Sequence, residues 1–162
     1  ISLRHLERYD EAVASLAQAV ALRERLGDRI GVVKARGNLG SVFQLQGRYA
    51  RALAAYQAAL DAARRGQGAP AALEADLLND IGLVLSELAR YDEALQAFDA
   101  ALARFDGRDD PARASRLLHN MAFCHFRMGE VERSIETYRR VLTLRRDAGD
   151  VRSVRCSVSG DS

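Results

Sequence analysis

Residues 90–104 read RYDEALQAFDAALAR. Apolar or small side chains fall at Tyr91, Ala94, Leu95, Phe98, Ala101 and Leu102, at i, i+3, i+4, i+7, i+10 and i+11. That is one face of a helix with a 3.6-residue period. No alternating pattern of the kind a half-buried strand needs competes over a useful length. Asp92 and Glu93 fall in the first turn of this helix, where the backbone dipole favours negative charge.

The stretch recurs. RYDEAVASLAQAVAL from Arg8, RYARALAAYQAALDA from Arg48 and EVERSIETYRRVLTL from Glu130 align with it. Tyr9, Tyr49, Tyr91 and Val131 correspond, at spacings of 40, 42 and 40 residues. A second kind of segment precedes the last three copies: GNLGSVFQLQG from Gly37, NDIGLVLSELA from Asn79 and HNMAFCHFRMG from His119. Each unit is therefore a pair of helices. The expected boundaries are a partial unit at 1–26 and full units at 28–66, 70–106 and 110–148. The breaks lie at Gly27–Asp28, at GQGAP (66–70) and at DGRDDP (106–111). Asp28 and Asp110 are suited to cap the helices that follow, with Pro111 in a first-turn position. Asp10–Glu11 is expected in a first turn, like Asp92–Glu93.

Small residues recur opposite large ones. Gly40, Gly82 and Ala122 correspond in the first helix of the pair. In the second helix Ala12, Ala52, Ala94 and Ser134 correspond, each four residues before Leu16, Tyr56, Phe98 and Tyr138. Small against large lets two helix backbones approach closely and interlock.

Composition excludes several classes. The 24 basic and 22 acidic residues leave a net charge of +2, without the basic excess of a nucleic-acid or membrane-surface binder. The uncharged run Ala12–Leu22 is 11 residues, against the roughly 20 of a membrane span. Two cysteines, Cys124 and Cys156, stand 32 residues apart, which suits a reducing compartment and makes neither a disulfide scaffold nor a cysteine-rich zinc site. Lys34 is the only lysine, so the other 23 basic residues are arginine, a bias that fits a high-GC, bacterial coding background. No cofactor or metal is expected, and no HExxH, GxSxG or phosphate-cradling loop is present. His119, Cys124 and His125 stand at i, i+5 and i+6, off a common helix face, and His125 takes the core position of Phe43 and Leu85. A satisfied core histidine is expected, and the chain is not expected to be an enzyme.

Leu39-Gly40-x-x-Phe43 with Ala52-x-x-x-Tyr56 resembles the tetratricopeptide signature, as does Ile81-Gly82-x-x-Leu85 with Ala94-x-x-x-Phe98. Met121-Ala122-x-x-His125 with Ser134-x-x-x-Tyr138 is a degenerate copy. Arg36, Leu78 and Leu118 stand at the usual tryptophan site, and the terminal proline of the signature is missing. The unit exceeds the usual length of about 34 residues. In this it resembles the long-helix subtype found in kinesin light chains and bacterial signalling regulators. HEAT repeats share the length but not the L-G-x-x-aromatic register. The resemblance implies an all-α, right-handed α-α superhelix of about seven helices, whose first helices line a concave groove for a peptide or partner protein.

In the long-helix relatives, an asparagine just before the L-G site bonds the backbone of an extended peptide. Asn38 and Asn120 match it; Asp80 departs, with Asn79 beside it. The alternative is that these amides bond neighbouring helices. Repeat register adds Lys34, Asp76 and Arg116 one turn earlier, then Ser41, Leu83 and Phe123, then Leu45, Glu87 and Arg127. Lys34 with Asn38, and Arg116 with Asn120, could hold a carboxylate, but Asp76 between them would oppose it. The lining suits a partner of mixed character, and a cytoplasmic regulatory or signalling scaffold is the function implied. The alternative is a self-association or intramolecular packing module without a peptide ligand.

Both ends look interrupted. Residues 1–6 read as the last turns of a preceding helix, and Gly149–Arg155 resembles Gly27–Val33, so 149–162 reads as the frayed start of a further unit. A piece of a longer solenoid is expected. The apolar face of 8–26 would then be covered by another copy, a neighbouring molecule or residues 1–6. Such ends also leave room for a homodimer.

Overall fold

One kind of turn punctuates the chain four times. Gly27, Gly47 and Gly129 have φ of +70, +70 and +81°, and Ala89 has φ 58°. Each left-handed residue is followed by an N–H that reaches back five residues: Asp28 to Arg23, Arg48 to Phe43, Arg90 to Leu85 and Glu130 to His125, at 2.9–3.0 Å. This is the Schellman closure, which satisfies carbonyls left open at a helix end. The computed structural model describes the backbone of residues 3–66, 69–104 and 110–158, and the side chains of 8–66, 69–104 and 110–146. The helices are α1 (Leu3–Arg25), α2 (Arg29–Leu45), α3 (Tyr49–Arg65), α4 (Ala71–Glu87), α5 (Tyr91–Leu102), α6 (Pro111–Arg127) and α7 (Val131–Val158). No strand occurs among the described residues.

Helix starts are fixed at two of the expected places. Asp28 Oδ1 accepts the Gly31 N–H at 2.8 Å, and Asp110 Oδ1 accepts the Arg113 N–H at 2.9 Å with Pro111 opening α6. That backbone bond, with Arg113 beside it, holds the Asp110 carboxyl below its ordinary range.

Each helix packs on its neighbours in sequence, and α4 also touches α6, so the pairs stack into a right-handed superhelix. The small-against-large register sets the contact within each pair. A Cβ placed on Gly82 would lie 2.5 Å from the Phe98 ring, and one on Gly40 would lie 2.8 Å from the Tyr56 ring. Phe98 is 0% exposed and Tyr56 1%. Leu53 and Leu60 of α3, Leu77, Ile81 and Val84 of α4, and Leu117 and Met121 of α6 join them in one continuous core.

Two boundaries differ from the sequence expectation. α1 is unbroken from Leu3, so Asp10 and Glu11 lie inside it and not in a first turn; no Gly or Pro interrupts residues 1–25. Asp10 serves instead as an acceptor for Gln46 Nε2 at 3.3 Å and faces Arg48 at 3.7 Å. α5 ends at Leu102. α7 continues through Gly149–Asp150, where a turn like that at Gly27 is expected; Gly149 lacks the positive φ that such a turn requires. The α1 residues Ala12, Val13, Leu16 and Val20 are half-buried, with Leu22 and Leu26 exposed. The side chains of 1–7, 147–148 and 150–162 lie outside the described residues, and with them the side chains of both expected end segments.

Candidate functional site

The helix periodicity that buries Leu77, Leu78 and Ile81 turns the intervening Asp76, Asn79 and Asp80 toward the open side of α4. α6 repeats this. Leu117, Leu118 and Met121 are buried, while Arg116 is exposed and Asn120 half-buried. Polar contacts join the two helices. Asn120 Nδ2 donates to Asn79 Oδ1 at 3.2 Å, and Asn79 Nδ2 donates to Asp80 Oδ1 at 3.2 Å. Arg113 Nη1 meets Asp76 Oδ1 at 2.8 Å and the Ala72 carbonyl at 3.3 Å. Deeper in, Ser86 Oγ lies 3.1 Å from Cys124 Sγ.

Burial pushes the Asp80 carboxyl up to about 6. The Asn79 bond opposes that rise, nearby Asp76 adds to it and Arg116 opposes it. Burial also raises Tyr56, whose hydroxyl lies 3.0 Å from Ser41 Oγ and donates to Gln44 Oε1 at 3.1 Å; Asp80 adds to that rise. The α3 phenol is thus held by two side chains of α2.

Of the residues expected in the groove, Asp76, Asn79, Asp80 and Asn120 come together, with Arg116 close enough to act on Asp80. The alternative role of the amides, bonding between helices, is thus realised for Asn120. Asn38 is exposed and makes no such bond among the described residues; Lys34 is also exposed. Leu83 is half-buried, Leu45 and Glu87 are exposed, and Phe123 is 42% exposed. The Arg127 guanidinium sits 5.6 Å from the Phe123 ring centre and 5.5 Å from that of Tyr91. The face therefore has a polar stretch around Asp80 and an aromatic one around Phe123. Arg113, which neutralises Asp76, is not among the residues the register selects. Its partner lies 37 positions away, and only its place one turn inside the α6 N-terminus hinted at a role.

A family model described as tetratricopeptide repeat matches residues 1–65, 32–107 and 73–147. The chain belongs to the tetratricopeptide repeat family. A search of curated proteins finds no match. Solved structures share the fold. Aspartyl phosphate phosphatase F from Bacillus subtilis has a TM-score of 0.75 at 14% identity, over 93% of this chain and 40% of that one. A Rap protein complexed with competence and sporulation factor gives 0.72 at 18%, over 86% and 38%. BtubC (BKLC) from P. vanneervenii gives 0.67 at 18%, over 84% and 56%. The chain thus spans about two-fifths to just over half of these proteins. At such identities the likeness is one of fold, and the word phosphatase describes the relative.

Within this tetratricopeptide array the histidine–cysteine trio separates. His119 packs its ring edge-on to Tyr138, with centres 5.5 Å apart. Cys124 is buried, and burial pushes its thiol up, away from the reactive thiolate. His125 Nδ1 lies 2.7 Å from Glu130 Oε2, a bond that holds the Glu130 carboxyl below its ordinary range, with Arg133 assisting. No group of three potential metal ligands occurs among the described residues. Nor is any described helix long and apolar enough to cross a membrane. A cleft of about 420 Å³ lies away from the groove, where the α1 and α3 C-terminal ends meet the start of α2. Its Arg36 is held by Glu24 at 2.6 Å and by the Ala58 carbonyl at 3.2 Å, a structural use of the charge.

Proposed function

We propose that this chain is a protein-binding scaffold that holds an extended peptide or a partner segment along the α2–α4–α6 face. The observation that carries it is the row of polar side chains open to that face and joined across helices 41 residues apart. An extended peptide has unpaired N–H and C=O groups at every residue. Amides and carboxylates fixed on rigid helices satisfy them without the ordering cost of mobile loops. A Rap protein complexed with competence and sporulation factor shares the fold, which supports a binding role here. The chemistry proposed is binding and not catalysis, with neither cofactor nor metal. We read the chain as part of a longer bacterial, cytoplasmic regulatory protein; its arginine bias and unpaired Cys124 fit that setting.

The test uses a displayed library of random twelve-residue peptides. Captured peptides should lose affinity by about tenfold when Asn38 and Asn120 are both changed to alanine, with helix content by circular dichroism unchanged. Capture that is unaffected removes the groove assignment.

A second reading, self-association, has an observation of its own. Val131, Ile135, Tyr138 and Leu142 form an exposed stripe on α7. The residues in the same register on α3, Leu53, Tyr56 and Leu60, are buried. Light scattering at increasing concentration should show a stable dimer if this stripe pairs with another copy. A monomer throughout would remove that reading.

A further inference from the structure

A carboxylate can only accept hydrogen bonds, so Asp80 fixes the direction of the row attached to it. Asn79 must turn its amino group toward Asp80 Oδ1, which leaves its own carbonyl facing α6. Asn120 must then present its amino group to that carbonyl. The order Asn120 to Asn79 to Asp80 is therefore set by chemistry, not by a choice of amide orientation. Two oxygens are left over, Asp80 Oδ2 and Asn120 Oδ1, with no hydrogen bond among the described residues. Each amide keeps one spare N–H, but the only formal charge in the row is negative.

The surrounding charges leave that negative end incompletely matched. On α4, Asp76 is already held by Arg113 of α6. Arg116 of α6 acts on Asp80 through space but makes no ion pair with it among the described residues. On α2, Lys34 is exposed and lies one turn before Asn38. On α3, the Tyr56 hydroxyl is engaged by Ser41 and Gln44. A half-buried carboxylate with one neutral hydrogen-bond donor gains most from a charged donor. Leu83 and Phe123, three residues further along α4 and α6, offer apolar surface beside it.

We propose that Asp80 sets the specificity of the groove by receiving a basic group of the bound peptide, an ammonium or a guanidinium, with Asn120 Oδ1 accepting alongside. This rests on the groove reading above. A bound cation favours the ionised carboxylate. Affinity should therefore fall as pH drops through about 6, where Asp80 takes up its proton.

The random-peptide library tests this at about pH 7.5. Peptides that depend on Asn38 and Asn120 should be enriched in lysine and arginine over the unselected library. A selected peptide should bind Asp80→Asn about tenfold or more weakly, because a charge-assisted bond is lost with the shape kept. Asp80→Glu should retain the basic preference, and binding to the native chain should weaken at about pH 5. Selected peptides without basic enrichment, or a basic preference that survives Asp80→Asn, overturn the assignment while leaving the groove in place. A library that yields no peptide dependent on Asn38 and Asn120 overturns both.

Discussion

The pairs α4–α5 and α6–α7 are built on the same register and differ most at the contact of small against large. In the first, Gly82 presents bare backbone to Phe98, and the ring is 0% exposed. In the second, Ala122 fills that place with a methyl group, and Tyr138 is 37% exposed, leaning on His119. The α6–α7 pair compensates with a polar lock, Ser134 Oγ donating to the Ala122 carbonyl at 2.8 Å. α5 is also covered by α6, whereas the equivalent stripe of α7 is open. One repeat pattern thus yields a tightly seated interior pair and a looser one whose aromatic face stays available.

The contrast can be broken most forcefully at the aromatic position. Phe98→Ala should cost about 3–5 kcal/mol, by emptying a closed site. Tyr138→Ala should cost only about 1 kcal/mol, since the ring is already partly in water. Urea denaturation of the two variants compares them directly, and equal losses would contradict the difference in seating. Next in size is Gly82→Ala, expected to cost about 1–2 kcal/mol because the new Cβ meets the Phe98 ring and the helix-propensity gain offsets only part. Its midpoint shift in the same titration measures how rigid the contact is. The smallest effect should be favourable. Ala89 holds a left-handed φ of 58° where the other two hairpins have Gly47 and Gly129. Ala89→Gly should stabilise by about 0.5–1 kcal/mol, relief of strain exceeding the added freedom of the unfolded chain. A loss there would show that the α4–α5 turn carries no strain.

Much of the fold was legible because it is local and repeated. The 3.6-residue period, the Gly40–Tyr56 and Gly82–Phe98 pairings and the caps at Asp28 and Asp110 are set by residues within a single unit. The helix start at Leu3 and the continuation past Gly149 were not, because repeat register says where a turn is compatible and not whether neighbouring helices make it favourable. The candidate face was legible as a set of positions. Its wiring was not. The Asn120–Asn79 bond and the Arg113–Asp76 pair join residues 41 and 37 apart, and both depend on how closely α6 comes to α4. Asn38 and Asn120 share a register, yet one amide is open and the other is engaged: Asn120 reaches back to Asn79 on α4, the first helix of the preceding pair, and among the described helices α2 has no such partner before it.

Lys34 is the single side-chain amine in the sequence, and it is exposed on α2 one turn before Asn38. Amine-reactive chemistry would therefore place a fluorophore at a single internal position, beside the proposed groove and off the packed core. No cysteine need be introduced, and the dye's emission would report directly on whatever enters next to it.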